Sequence, residues 1–164
     1  MPLFSIQYLE DSPEIPTIPV DVARKRLRSA FERLPIAQVL IGWNLPDALR
    51  EACAEECARA GTKFYRWHPL LTGDGKFMPK PEWQCIALNG DPIAGFRNMP
   101  EFTFVCSNRP VVRETILAHL REVLGRGHYQ GVFLDRIRHP SPAGNLNQLL
   151  GCFCDDCQRV AAQE

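Results

Sequence analysis

Three cysteines crowd into Cys152-Phe153-Cys154-Asp155-Asp156-Cys157, a CxCxxC motif. Thiolates are soft donors, and a tetrahedral zinc ion takes four ligands with Zn–S near about 2.3 Å, so a fourth ligand must come from elsewhere. Cys106 is the first choice, because it ends an extended stretch (102–106) and projects towards the same rim as the loop after Asp135; Cys85 is the runner-up. Asp155 and Asp156 add negative charge but do not replace a thiolate. Such a site is structural: it would pin the Pro/Gly/Asn-rich stretch 140–151. Cys53 and Cys57 read differently, since at i and i+4 in line with Leu49 and Ala60 they form a buried helical stripe. Seven cysteines is an odd number, whereas a complete disulfide framework within one chain uses an even one, and in a reducing compartment the cluster reads as metal binding before disulfides. A redox role for CxCxxC is the weaker reading, since it would need one low-pKa exposed thiol and a resolving partner.

A second group of residues stands where apolar stretches end. Gly131-Val132-Phe133-Leu134 delivers Asp135, with Arg136 and Arg138 close behind. Glycoside cleavage uses two carboxyl groups, about 5–5.5 Å apart for retention and about 6.5–9.5 Å for inversion. A neighbouring arginine would favour the ionised, nucleophilic form of Asp135; the alternative is a salt bridge from Asp135 to Arg138 that caps the loop. Gln7, Tyr8 and Glu10, then Trp43 and Asn44, then Trp67 and His68, complete an aromatic and polar set suited to stacking on sugar faces and bonding hydroxyls. Trp43 or Trp67 could instead plug the end of a barrel.

Alternating elements must position these groups. Residues 3–9 read as a strand and 21–34 as a helix with Asp21 as N-cap. A second strand covers 36–43, and a helix covers 46–60, with Pro46 in its first turn and Gly61 past its end. Residues 62–67 form a third strand. A hairpin insertion lies near 83–97, turning at Asn89-Gly90-Asp91. The helix at 110–124 buries Val112, Ile116, Leu117, Leu120, Val123 and Leu124, and a fourth strand follows at 131–135. The chain stops inside a fourth helix. Strand–helix repetition argues for a parallel α/β fold, and the lack of GxGxxG or GxxxxGK[ST] after any strand turns the choice from a nucleotide-binding sheet to a barrel. Four βα units are half of a (β/α)₈ TIM-type barrel. The expected domain is therefore one incomplete barrel over 1–164, with a cysteine-rich zinc loop at 140–157.

The whole composition sets limits. Nineteen basic residues balance nineteen acidic ones, leaving no footprint for nucleic acid and no polybasic patch for a membrane. No stretch approaches the length of a membrane span, and the N-terminus lacks a secretion signal, which gives a cytoplasmic expectation. Fourteen prolines in 164 residues predict a loop-rich chain.

The run Cys106-Ser-Asn-Arg-Pro-Val-Val-Arg113, the helix after it, GVFLDRIRHPSP from Gly131, and CFCDDC together resemble barrel glycoside hydrolases. One similar group is the β-galactosidases whose barrels carry a four-cysteine zinc site, with CPNxPxxR followed later by CxCxxC. That resemblance implies Cys106, Cys152, Cys154 and Cys157 as ligands. The other is a glycosyl-hydrolase-like barrel family with a DGxxxDxIRYP fourth strand. There Asp135, Arg138 and Pro140 match, and His139 replaces the tyrosine. The likeness covers the last third of the chain well and the first hundred residues loosely. Those β-galactosidases carry an Asn-Glu pair at the end of the fourth strand, the glutamate being the acid/base. Here Leu134-Asp135 stands instead, so Asp135 is a catalytic candidate of undefined role.

Two functions follow as expectations. One is a glycoside hydrolase-like chain, the N-terminal part of a larger hydrolase or half of a homodimer. In it Asp135 acts as nucleophile or acid, and Trp43, Asn44, Trp67, His68, Arg136 and Arg138 bind carbohydrate. The other is a non-catalytic, zinc-stabilised carbohydrate-binding or scaffold module.

Overall fold

The computed structural model describes residues 3–8, 18–74, 77–95, 99–140, 146–148 and 151–163. Leu9, Glu10, the end of the expected hairpin at 96–97, and 141–145 and 149–150 of the expected cysteine-rich loop lie outside the described residues. Among the described residues four strands and four α-helices alternate: β1 (Phe4–Tyr8), α1 (Val20–Arg33), β2 (Ile36–Ile41), α2 (Asp47–Arg59), β3 (Lys63–Pro69), α3 (Pro110–Gly125), β4 (Gly131–Asp135) and α4 (Asp155–Ala161).

The strands form one sheet in chain order, β1-β2-β3-β4. β1 and β2 are parallel, with Ser5 beside Gln38 and Tyr8 beside Ile41. β2 and β3 are parallel, from Gln38 beside Lys63 to Ile41 beside Arg66. Towards β4, the Gln130 N–H donates to Phe64 O at 2.9 Å and the Leu70 N–H to Asp135 O at 2.9 Å. Both pairs ascend together, as parallel strands require. This α/β architecture with a four-stranded parallel sheet is consistent with part of a (β/α) barrel.

The chain divides into two compact units, Met1–His68 with Val123–Leu134, and Pro69–Glu122 with Asp135–Glu164. In the first, α1 and α2 pack through Ala23, Leu27, Leu49, Cys53 and Cys57 on Val39, Ile41 and Phe64 of the sheet. Cys53 and Cys57 are fully buried there, and burial pushes the Cys57 thiol up to about 12. The end of α2 is fixed by sequence. Gly61 adopts φ +67°, its N–H donates to Ala58 O, and the Thr62 N–H donates to Cys57 O. That pair of bonds is the Schellman arrangement that a glycine past the C-cap permits.

Two helix details differ from the sequence reading. α1 starts at Val20 with Pro19 at the cap, so Asp21 lies in the first turn, where its charge meets the positive helix end. On α3, Leu117 is 41% exposed, whereas Val112 and Ile116 are buried. In the second unit those two pack with Trp83 and Val105, flanked by Leu70, Leu71 and Phe77. The expected hairpin has a short counterpart here. Ile86 pairs antiparallel with Pro92, the Ala87 N–H donates to Asp91 O, and Gly90 turns the chain at φ +87°.

Candidate metal centre and strand-end residues

Two pairings in the second unit build the cysteine site. Gln84 pairs antiparallel with Val105, closed by Cys85 N–H to Phe104 O at 3.1 Å and Cys106 N–H to Trp83 O at 2.9 Å. Cys85 and Cys106 thus fall diagonally on one side of this ladder, with Phe104 in the same apolar cluster. The CFC segment then docks on the neighbouring backbone, the Phe153 N–H donating to Ile86 O at 2.8 Å. Gly151 enters this segment at φ +139°, a conformation side-chain-bearing residues rarely adopt. Cys154 caps α4, and Cys157 lies within that helix.

The result is a convergence of four sulfurs. Those of Cys106, Cys152, Cys154 and Cys157 all lie within 4.8 Å of one another. Cys106 Sγ stands 3.4 Å from Cys157 Sγ and 3.5 Å from Cys154 Sγ. Four thiolates tetrahedrally around one ion at about 2.3 Å would stand about 3.8 Å apart, so the donor set fits a metal ion. The runner-up, Cys85, is not one of these four, but it is buried in the same cluster.

Hydrogen-bond donors surround the sulfurs. The Ile86 N–H donates to Cys152 Sγ at 3.3 Å, and Asn108 Nδ2 donates to Cys157 Sγ at 3.3 Å. Hydrogen bonds from Cys106 and Cys85 hold the Cys152 thiol far below its ordinary range, and the same contacts with burial raise Cys106 and Cys85. The guanidinium of Arg109 lies against Cys154, with its Nε 3.9 Å from Asp156. Basic charge thus reaches the cluster from Arg109, distant in sequence from CxCxxC, while Arg159, two residues past Cys157, pairs with Asp156.

The strand-end residues fall into two sets. In the first unit, Trp43 and Asn44 form the turn after β2, both half-buried. Trp43 meets Trp67 edge-to-face at 5.4 Å, and Trp67 meets Phe133 likewise at 6.1 Å. Phe64, Arg66 and His68 are buried while Tyr65 and Trp67 are half-buried. His68, only 1% exposed, thus shares the buried face of β3, opposite Trp67.

In the second unit, half-buried Asp135 ends β4, and its Oδ1 accepts the Arg136 N–H at 2.6 Å. Arg136 takes a left-handed φ of 55°. Its Nη1 donates to Thr72 Oγ1 at 2.9 Å and Glu101 O at 3.0 Å, and its guanidinium lies over Phe102 at 4.2 Å. Arg136 therefore ties down the loop that follows β3. Arg138 stacks on Phe104 at 4.9 Å and donates to His139 O.

One polar pair escaped the sequence reading. Asp74 is buried and accepts the Phe77 N–H through Oδ1, while its Oδ2 stands 2.7 Å from His119 Nε2. Phe77 stacks on both His119 and Trp83. The partners lie 45 residues apart, and no local pattern signals such a pairing.

Among the described residues no helix is long and apolar enough to cross a membrane. No protein-family model and no curated protein matches the chain. One solved structure, the ligand-free alpha-N-acetylgalactosaminidase NagBb from Bifidobacterium bifidum, is similar at 14% identity and a TM-score of 0.48. The match covers 81% of this chain and 28% of that one, so the chain spans little more than a quarter of the length of this neighbour.

Proposed function

We propose that this chain is part of a carbohydrate-active (β/α) barrel of the glycoside hydrolase type. In this reading Cys106, Cys152, Cys154 and Cys157 hold a structural zinc ion, and Asp135 brings a carboxyl group to the sugar site. The observation that carries it is the convergence of four thiols, drawn from positions up to 51 residues apart. It is the ligand set implied by the resemblance to zinc-bearing β-galactosidases. With four thiolates filling its coordination, zinc supplies a cross-link between loops rather than a reaction step. The N–H groups of Ile86 and Asn108 and the charge of Arg109 offset the excess negative charge of the thiolates.

Strand order supports the barrel. The four strands follow chain order without reversal, whereas a doubly wound sheet reverses at its switch point. A closed barrel needs eight strands, and in this reading the others come from further residues of the natural protein or from a second copy. Trp43 and Trp67 offer aromatic surface for a sugar ring, and Asp135 acts as acid or nucleophile.

Metal content and turnover test the reading together. Purified protein is expected to carry one zinc ion per chain by elemental analysis, and Cys154→Ser to lose it. On a panel of aryl glycosides, Asp135→Asn is expected to lose turnover by about 100-fold or more while sugar binding persists. Metal-free protein, or activity untouched by the substitution, overturns the assignment. A second reading, a non-catalytic sugar-binding module, is favoured by the Trp43–Trp67 pair, which needs no carboxylate to bind a ring. It requires sugar affinity, measured calorimetrically, in wild type and Asp135→Asn alike, with no turnover in either.

A further inference from the structure

Five of the seven cysteines gather in one place. Cys85, 3% exposed, shares an apolar cluster with Cys106 and Cys154, and Cys152 and Cys157 pack against it. A tetrahedral thiolate site needs four, which leaves Cys85 as a spare thiol built into the wall. Its backbone is held on both sides, by the Phe104 carbonyl and by the Ile93 N–H donating to Cys85 O at 2.8 Å. The next residue, Ile86, makes both contacts that seat the CFC segment, to Cys152 Sγ and from the Phe153 N–H. Cys85 and Cys152 are therefore brought together by main-chain bonds on adjacent residues, and both belong to one cluster and line one pocket.

The pair is also accessible. A pocket of about 150 Å³ is lined by Cys85, Cys106, Cys152 and Cys157 together with Asn108 and Arg138. A water molecule takes up about 30 Å³ in the liquid, so a small hydroperoxide has room there. Arg138 puts positive charge in the wall, where a departing hydroxide gains from it.

We propose that Cys85 is the resolving thiol of a redox-responsive centre, in which a hydroperoxide converts Cys152 and Cys85 to a disulfide and the ion is released. The proposal rests on the metal reading above. The Cys152 thiolate attacks one peroxide oxygen; an S–O bond forms, the O–O bond breaks, and hydroxide leaves with the electron pair. The Cys85 thiol then attacks the resulting sulfenic acid, forming the S–S bond and expelling water, which carries the thiol proton. Two electrons pass from the two sulfurs to one peroxide. Cys106, Cys154 and Cys157 alone are one ligand short, and the ion is lost. Reduction by a dithiol restores Cys152.

The test uses the reduced, metal-loaded chain and hydrogen peroxide. Ion release is followed with a chromogenic chelator, and disulfides are mapped by differential alkylation and mass spectrometry. Release of one ion per disulfide is expected, with the bond joining the Cys85 and Cys152 peptides. Cys85→Ala is expected to keep its ion and to release it at least about tenfold more slowly. A disulfide joining any other pair, or release from Cys85→Ala at the wild-type rate, overturns the proposal. If Cys85→Ala fails to fold, mapping in wild type decides alone. A reduced wild-type chain that binds no ion overturns the metal reading and, with it, the release step.

Discussion

Glu56, 2% exposed, sits among three arginines. Arg28 donates to both its oxygens at 2.7 and 2.8 Å, Arg24 at 3.0 Å and Arg59 at 2.7 Å. The hydrogen bonds from Arg28, then those from Arg24 and Arg59, outweigh burial and hold its carboxyl down at about 2. A carboxylate depressed in this way stabilises the fold above its unfolded value of 4.5, and the contribution fades as pH falls from there through about 2. Glu56→Gln is expected to cost about 2 kcal/mol at pH 7, less than a fully buried pair because the arginines can rehydrate. Urea unfolding at pH 5 and pH 3 checks it: the wild type should lose more stability than the variant over that interval. Nothing in the sequence around Glu56 distinguishes it from its exposed neighbour Glu55, because what matters is the helix that packs above. The four converging cysteines were legible for the opposite reason. Three are neighbours in sequence, and Cys106 ends an extended stretch. The role of Cys85 was ambiguous because the Gln84–Val105 pairing puts both thiols on the same side.

Helix and strand boundaries were readable wherever punctuation was strong. Pro46 and Gly61 bracket α2, and the structure uses both, one before the first turn and one after the last. Punctuation failed for α1, since Asp21 has the chemistry of a cap but Pro19 already holds the extended conformation the cap needs. On α3 the apolar stripe was wider than the surface that covers it, which left Leu117 outside. Two glycines separate local stability from site geometry. A Cβ at either Gly61 or Gly151 meets nothing within 4 Å, so the cost of a side chain there is purely conformational. Gly61→Ala is expected to lose about 1 kcal/mol and keep its metal. Gly151→Ala, which strains the residue next to Cys152, is expected to weaken metal binding by about tenfold or more. Thermal melts and competition with a metallochromic indicator measure the two effects.

The two units rest on different forces. The first has its own apolar core between two helices and the sheet. The second draws on a small cluster rich in thiols and on the packing of α3 against Trp83 and Val105. Structural zinc in small domains contributes about 10–16 kcal/mol of apparent binding energy, and protons compete for its thiolates. A strong chelator, or acidification below about pH 5, is therefore expected to open the second unit first. Hydrogen exchange should show the amides of Ile86, Phe153 and Cys106 losing protection while those of Val39, Ile41 and Phe64 keep theirs. Equal loss in both sets would show that the ion supports the whole chain alike. At this scale the sequence conveyed the alternation and the parallel sheet, since both are written in local patterns. It did not convey the division at His68 and Leu134, which depends on contacts between distant segments.

The 51-residue separation of Cys106 from Cys157 also matters on the ribosome. A nascent chain that has exposed β3 and α3 displays Cys85 and Cys106 with none of their three later companions. Assembly of the four-thiol cluster thus waits until Cys157 clears the exit tunnel, and until then the early thiols stand without the partners that would bury them.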